Sequence, residues 1–116
     1  ALGDAGGSGT VARGNVLINP GQAGIFIAGG LDHAILDNIV YGEQRPLSNV
    51  GIYVWNQSDA ECSGHTVAGN RIHWIAADGS SNPYWNAGNC GPVDGSNTIA
   101  PFDPEPYRVH LEVPAP

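Results

Sequence analysis

Three acidic residues, Asp32, Asp59 and Glu61, lie in loops that follow short runs of aliphatic and aromatic residues. Two carboxyl groups on either side of a glycosidic bond are the minimum for hydrolysis by an acid and a base, and the same oxygen atoms could bind Ca²⁺. No spacing around them resembles a calcium-binding loop, and acids in exposed loops are commonly just solvated. The three acids are therefore candidate catalytic residues, and solvated loop acids are the alternative.

Four aromatic residues form a second candidate group, because they alternate with aliphatic residues in strand-like runs. Successive side chains of a strand point to opposite faces, so an inward aliphatic face would place the aromatic rings outside. The dipeptide Trp85-Asn86 also repeats Trp55-Asn56 after 30 residues. Exposed aromatic faces are surfaces on which sugar rings pack, although loops could cover the same faces. The candidate substrate-binding residues are Phe26, Tyr53, Trp55 and Trp85.

Four asparagines in similar sequence contexts, 23, 32 and 27 residues apart, mark the elements that would position these residues. A repeat of this length is typical of a solenoid. We number the repeats by these residues, which are Asn15, Asn38, Asn70 and Asn97. The residue two positions later is always aliphatic, and these residues are Leu17, Val40, Ile72 and Ile99. A constant apolar position between variable neighbours indicates short strands with one buried face.

Two further strands complete each repeat. One carries the aromatic residues, and the other precedes the asparagine, at 33–36 and 65–68. Three short strands per repeat, stacked in register, predict a triangular parallel coil. In this register His33 and His65 are equivalent, and we expect their rings to stack, since a zinc site would need further ligands. His73 has no acidic partner that the sequence reveals, and it is assigned no role.

The pattern resembles the right-handed parallel β-helix of the pectate-lyase-like superfamily. In that family a tight turn between two strands often carries an asparagine that stacks from coil to coil, and the four asparagines fit that place. The resemblance covers about residues 11–100 and implies an all-β fold, a parallel β-helix of about three to four coils. It also implies a substrate groove along one sheet and its loops, where the aromatic residues would lie. Because this fold carries many activities, the resemblance does not define the reaction.

The two ends of the predicted β-helix differ. Residues 1–10 form a glycine-rich lead-in with one large apolar residue, Leu2, and we expect a loop or linker there. Residues 101–116 begin as a Pro-rich connector, and the alternating run 107–113 predicts a strand that caps the last coil. No such cap precedes the first repeat, so we expect that end to meet either further coils or another copy in a homo-oligomer.

The two cysteines, Cys62 and Cys90, fall in equivalent loops of neighbouring coils, and we predict a disulfide between them. It would close a loop of about 28 residues and contribute roughly 3 kcal/mol. A disulfide indicates an oxidising compartment, and no apolar run approaches the length needed to span a bilayer. The predicted location is therefore secreted or periplasmic.

Charge excludes several partners. The chain has eleven acidic residues, only four basic ones and a net charge of −7, so nucleic acid and anionic membranes would be repelled. A polyuronate lyase must neutralise substrate carboxylates, and this chain has no lysine for that work. An acidic glycan is therefore a poor candidate substrate.

Together these patterns favour an extracellular module that recognises a polysaccharide, and they are compatible with the C-terminal part of a carbohydrate-active enzyme. One alternative is a glycoside hydrolase or lyase in its own right, with the three acids as its catalytic residues. The other is a structural subunit of a β-helical spike, adhesin or filament. No cofactor is predicted apart from the Ca²⁺ that the acids could bind.

Overall fold

The computed structural model describes residues 1–4 and 6–108, and this part of the chain is all-β apart from one short 3-10 helix at Glu105–Tyr107. Runs rich in Val and Ile favour strands, and the Gly, Asn and Asp residues between them favour turns. None of the described residues belongs to a helix long and apolar enough to cross a membrane. The strands are β1 (Val11–Arg13), β2 (Val16–Ile18), β3 (Ala23–Ile27), β4 (Gly30–Leu31), β5 (Ala34–Leu36), β6 (Ile39–Glu43), β7 (Val50–Val54), β8 (Cys62–Ser63), β9 (Thr66–Ala68), β10 (Arg71–Ile75), β11 (Tyr84–Asn86) and β12 (Thr98–Ile99).

These strands pair in parallel, each with its equivalents in the neighbouring repeats. One sheet has the order β2-β6-β10-β12, the second β1-β5-β9, the third β3-β7-β11, and β4 pairs with β8 in the fourth. In the first sheet Val40 lies between Leu17 and Ile72, as the asparagine spacing predicted. The all-β class and the parallel pairing are therefore confirmed.

The core consists of aliphatic side chains that face inward from the sheets, together with one tryptophan. Val40 and Ile72 are fully buried, as predicted, and Leu17 packs against the same cluster. Ile99 is 53% exposed because β12 is the last strand of its sheet and has a neighbour on one side only. Ile99 pairs with the buried Ile72 and lies on the same face of the sheet, as predicted. The other buried apolar residues of the cluster are Ile27, Ile35, Ile52, Val54, Val67, Trp74 and Cys90.

A ladder of asparagine side chains joins the repeats, as predicted. The backbone N–H of each asparagine donates to Oδ1 of the next, at 2.9 Å from Asn15 to Asn38, 2.9 Å from Asn38 to Asn70, and 3.1 Å from Asn70 to Asn97. The left-handed conformation belongs to the residue before the asparagine, since Asp37 has φ 55°. The N–H group that follows this turn is therefore satisfied by a side-chain oxygen rather than by a strand carbonyl.

A second ladder, shortly before the first in each repeat, uses histidine. The backbone N–H of Thr10 donates to Nδ1 of His33 at 3.1 Å, and the N–H of His33 donates to Nδ1 of His65 at 3.1 Å. The two rings are stacked with centroids 5.4 Å apart, so the predicted stack is confirmed. Because Nδ1 accepts a hydrogen bond, each neutral ring carries its proton on Nε2. Burial lowers the pKa of His65.

The glycine-rich lead-in pairs with residues 26–31 instead of forming a free linker. The backbone N–H of Leu2 donates to the carbonyl of Phe26 at 2.8 Å, and the N–H of Ala28 donates to the carbonyl of Leu2 at 2.8 Å. Ser8 forms a parallel bridge with Leu31. Backbone groups form these bonds whatever the side chain, so a segment poor in apolar residues still extends the parallel pairing.

The Pro-rich connector packs on the outer face of the sheet that contains β6 and β10. The ring of Phe102 meets the ring of Tyr41 edge to face at 5.5 Å and the ring of Tyr107 at 5.7 Å. Tyr107, predicted to begin the capping strand, belongs instead to the 3-10 helix. The part of the predicted strand from residue 109 onward lies outside the described residues.

Candidate functional site

Four aromatic rings meet on the outer face of the β3-β7-β11 sheet. Phe26 and Tyr53 lie opposite each other on β3 and β7, and their rings stack face to face with centroids 4.4 Å apart. Trp85 on β11 lies opposite Tyr53 on its other side, with ring centroids 6.2 Å apart. Trp55, which follows β7, lies 5.9 Å from Trp85. The structure thus brings all four predicted residues together.

The register of Trp85 differs from the one that its dipeptide predicted. Trp85 pairs with Tyr53 and not with Trp55, so the two tryptophans are diagonal neighbours on the same face. Large side chains can touch across a diagonal of this kind. Asn56 is aligned instead with Asn89, because its backbone N–H donates to the Asn89 Oδ1 at 2.9 Å. The repeated dipeptide was therefore a misleading guide to the alignment of β7 with β11.

The rings line an open cleft with a volume of about 380 Å³. Trp55 and Trp85 are 42% and 46% exposed, so the loops of the described chain leave part of each indole accessible. Packing beneath loops is therefore the weaker explanation for these two residues. The other residues that line the cleft are Gln22, Ala23, Asn49, Val50 and Gln57.

Among the described residues, all side chains that line this cleft are uncharged. Three of them, Gln22, Asn49 and Gln57, carry amides that both donate and accept hydrogen bonds. The Nε2 of Gln57 donates to the hydroxyl oxygen of Tyr53 at 3.1 Å, which leaves the Tyr53 hydroxyl hydrogen available to another acceptor. The cleft is therefore suited to a ligand that combines flat apolar faces with neutral hydroxyl groups.

The three candidate acids lie outside the lining of this cleft. Asp32 is exposed, has φ 56°, and sits with its carboxylate against Gly64 of the next repeat. Asp59 and Glu61 are exposed in the loop between β7 and β8. In the part of the chain that the structure describes, these acids do not form a group with oxygens within 4.8 Å of one another. Their catalytic and calcium-binding roles stay predictions.

The predicted disulfide between Cys62 and Cys90 is confirmed, with the two Cα atoms 4.5 Å apart. The Sγ of Cys62 also lies 3.2 Å from Nε2 of His65, and the three residues bring potential metal-ligand atoms within 4.8 Å of one another. A metal binds the thiolate form of cysteine, which a disulfide does not offer. His65 moreover carries its proton on Nε2, since Nδ1 accepts from His33. The group is therefore a hydrogen-bonded disulfide.

A polar pair that sequence reasoning missed lies on the sheet of β6 and β10. Nε2 of His73 lies 2.7 Å from Oε2 of Glu43, and the hydroxyl of Tyr41 donates to the same oxygen at 3.3 Å. This contact corrects the expectation that His73 has no acidic partner. Burial and the neighbouring Glu43 carboxylate raise the pKa of Tyr41. Tyr41 and His73 are opposite each other in the register, so the asparagine alignment was a signal for these two residues, whereas the contact with Glu43 is diagonal and does not follow from it.

Comparison with protein-family models, with curated proteins and with solved structures found no match for this chain. The function is therefore inferred from the geometry of the cleft and from the charge around it.

Proposed function

We propose that the protein is a polysaccharide-recognising module and that its aromatic cleft binds a neutral glycan. The observation that carries the proposal is the contact among four aromatic rings beside uncharged amide side chains in an open cleft. A sugar ring presents an apolar face to an aromatic ring and hydroxyl groups to amides. Binding sites of this kind combine apolar walls with a few polar groups that fix orientation.

The fold that we propose is a right-handed parallel β-helix similar to that of the pectate-lyase-like superfamily. Two features support this assignment: the strands recur in the same order in successive repeats, and all the named strands pair in parallel. The asparagine ladder occupies the turn where that superfamily often carries one. A parallel β-helix explains why the aromatic residues of different repeats gather on one outer face.

Charge favours a neutral glycan over an acidic one. The chain carries a net charge of −7, and no basic side chain of residues 1–4 and 6–108 lines the cleft. A polyuronate would bring many carboxylates to an acidic surface without compensating cations, which is electrostatically unfavourable. Neutral hexose or pentose polymers avoid this cost.

Recognition fits the cleft better than cleavage does. Hydrolysis by the usual route needs two carboxyl groups on either side of the scissile bond, whereas none of Asp32, Asp59 and Glu61 lines the cleft. The Cys62–Cys90 disulfide supports action in an oxidising, extracellular compartment. The proposed function is therefore that of an extracellular glycan-binding module.

Titration calorimetry against soluble neutral polysaccharides, with oligogalacturonate as the acidic comparison, tests this proposal. Tryptophan fluorescence provides a second readout, because Trp74 is buried and a ligand in the cleft acts on Trp55 and Trp85. We expect heat and a fluorescence change with at least one neutral glycan and neither with oligogalacturonate. A preference for the acidic polymer would contradict the charge argument.

Trp85→Ala is the direct variant, since it removes an exposed ring from the cleft. We expect it to weaken glycan binding about tenfold, which corresponds to about 1.4 kcal/mol. Phe102→Ala is the matched control, because it removes an aromatic ring from a different part of the molecule, on the β6 and β10 sheet. Equal losses of glycan affinity in the two variants would refute the assignment of the cleft as the glycan-binding site.

A further inference from the structure

The aromatic cleft adjoins a second hollow on the same side of the molecule. That hollow has a volume of about 440 Å³ and shares two lining residues, Gln22 and Asn49, with the cleft. The shared amide side chains therefore stand at the junction of the two. The residues found only in the second hollow are Pro46, Leu47, Ser48, Ala76, Ala77 and Asp78.

The aromatic cleft extends along β7, with the two tryptophans at one end, and the second hollow adjoins it at the other end, beside Asn49. Asn49 precedes the strand, and Trp55 follows it. Five strand residues at roughly 3.3 Å each span about 17 Å, so a ligand that reached from the two tryptophans to the second hollow would run along the strand. A single sugar ring is much shorter than this distance. Only an oligosaccharide or a section of a polymer could contact both the tryptophans and the second hollow.

The second hollow has the chemistry of a sugar site of a different kind. Leu47 is 74% exposed, the highest value among the large apolar residues of the described chain, and it offers an apolar surface opposite the aromatic end. Asp78 accepts hydrogen bonds at Oδ1 from the backbone N–H and the hydroxyl of Ser80, at 2.9 Å and 2.6 Å. These bonds lower the pKa of Asp78, so its carboxylate is ionised, accepts hydroxyl donors and repels uronate groups.

We infer that the two hollows form one groove that binds a linear, neutral oligosaccharide along β7, with aromatic contacts at Trp55 and Trp85 and hydroxyl and apolar contacts at Asp78 and Leu47. The inference rests on the proposed function and adds the direction and minimum length of the ligand. The lining supports this occupant, since Asp78 is the one charged residue that lines either hollow in the described part of the chain.

A length series tests the groove. The probes are β-1,4-linked gluco-, manno- and xylo-oligosaccharides of two to six units, titrated into the intact protein by calorimetry. We expect affinity to rise with length by about tenfold or more and then to level off once the ligand spans both hollows. Equal affinity for the disaccharide and the hexasaccharide would overturn the groove and leave glycan binding intact. No binding of any neutral glycan would overturn the proposed function itself.

Variants at the second hollow test whether the longer ligand makes contacts there. Leu47→Ala and Asp78→Asn lie at exposed positions, so neither disturbs the core. We expect each to weaken binding of the hexasaccharide roughly fivefold, a larger loss than for the disaccharide, which is too short to reach from the tryptophans to these residues. Val16→Ala is the matched control, because Val16 is an exposed aliphatic residue on a different sheet. If neither Leu47→Ala nor Asp78→Asn affects hexasaccharide binding, the ligand does not extend along β7 into the second hollow and the inference is refuted.

Discussion

Replacing Asn38 with alanine tests whether the buried ladder stabilises the contact between repeats. The Asn38 side chain is fully buried, and its Oδ1 accepts hydrogen bonds from the backbone N–H and the Nδ2 of Asn15. Its Nδ2 donates to the carbonyl of Ala12 at 3.1 Å and to the Oδ1 of Asn70 at 2.9 Å. Each such bond contributes about 1 kcal/mol. We therefore expect Asn38→Ala to lower the free energy of unfolding by about 4 kcal/mol.

Asn15→Ala is the matched control, because Asn15 is exposed and its side chain is seen to donate a single hydrogen bond, to Asn38. We expect this variant to lose at most about 1 kcal/mol. Urea unfolding followed by tryptophan fluorescence measures both free energies, provided that the denaturant slope is the same in the two variants. Equal losses would show that burial of the hydrogen-bonded ladder is not the source of the stability, and our reasoning would be refuted.

Three further outcomes follow from other contacts. Because burial lowers the pKa of His65, the unfolded chain binds a proton at a higher pH than the folded chain does. The free energy of unfolding should therefore have its full value above about pH 6.5 and decrease as the pH falls toward the pKa of the folded state. The decrease should be smaller in His65→Asn, as urea unfolding at several pH values would reveal. Gly42→Ala should cost about 1 to 3 kcal/mol, since its Cβ would overlap the Trp74 ring; an unchanged midpoint of thermal unfolding would contradict this. Reduction of the Cys62–Cys90 disulfide should cost about 3 kcal/mol, measurable as a lower urea midpoint with dithiothreitol; an unchanged midpoint would count against it.

Much of the architecture is predictable from the spacing of the asparagines. A buried amide needs a partner in each neighbouring repeat, so the sequence alone aligns Asn38 with Asn70, and Val40 then falls beside Ile72. The disulfide follows from the same alignment. These features are predictable from the sequence because they depend on residues at equivalent positions in the repeats.

Other features depend on strand register, which the residue types alone leave open. The dipeptide containing Trp85 suggests a partner two residues away from the true one, Tyr53, because the loops between repeats differ in length. The contact of His73 with Glu43 joins residues that are not equivalent in the repeat. Leu47 and Asp78 could not be associated with each other, since only the path of the chain brings their loops to the same hollow.

The left-handed turns before the two ladders bear on how this protein could be lengthened or shortened. In the second repeat the turn positions are Asp32 and Asp37, and in the third they are Gly64 and Gly69, where an added Cβ would meet the Oδ1 of the aspartate. A glycine in the following repeat thus leaves the aspartate carboxylate its place at these turns. The repeats are consequently not interchangeable modules: an engineer could insert a second copy of the third repeat, whereas a second copy of the second repeat would set carboxylate against carboxylate at both corners.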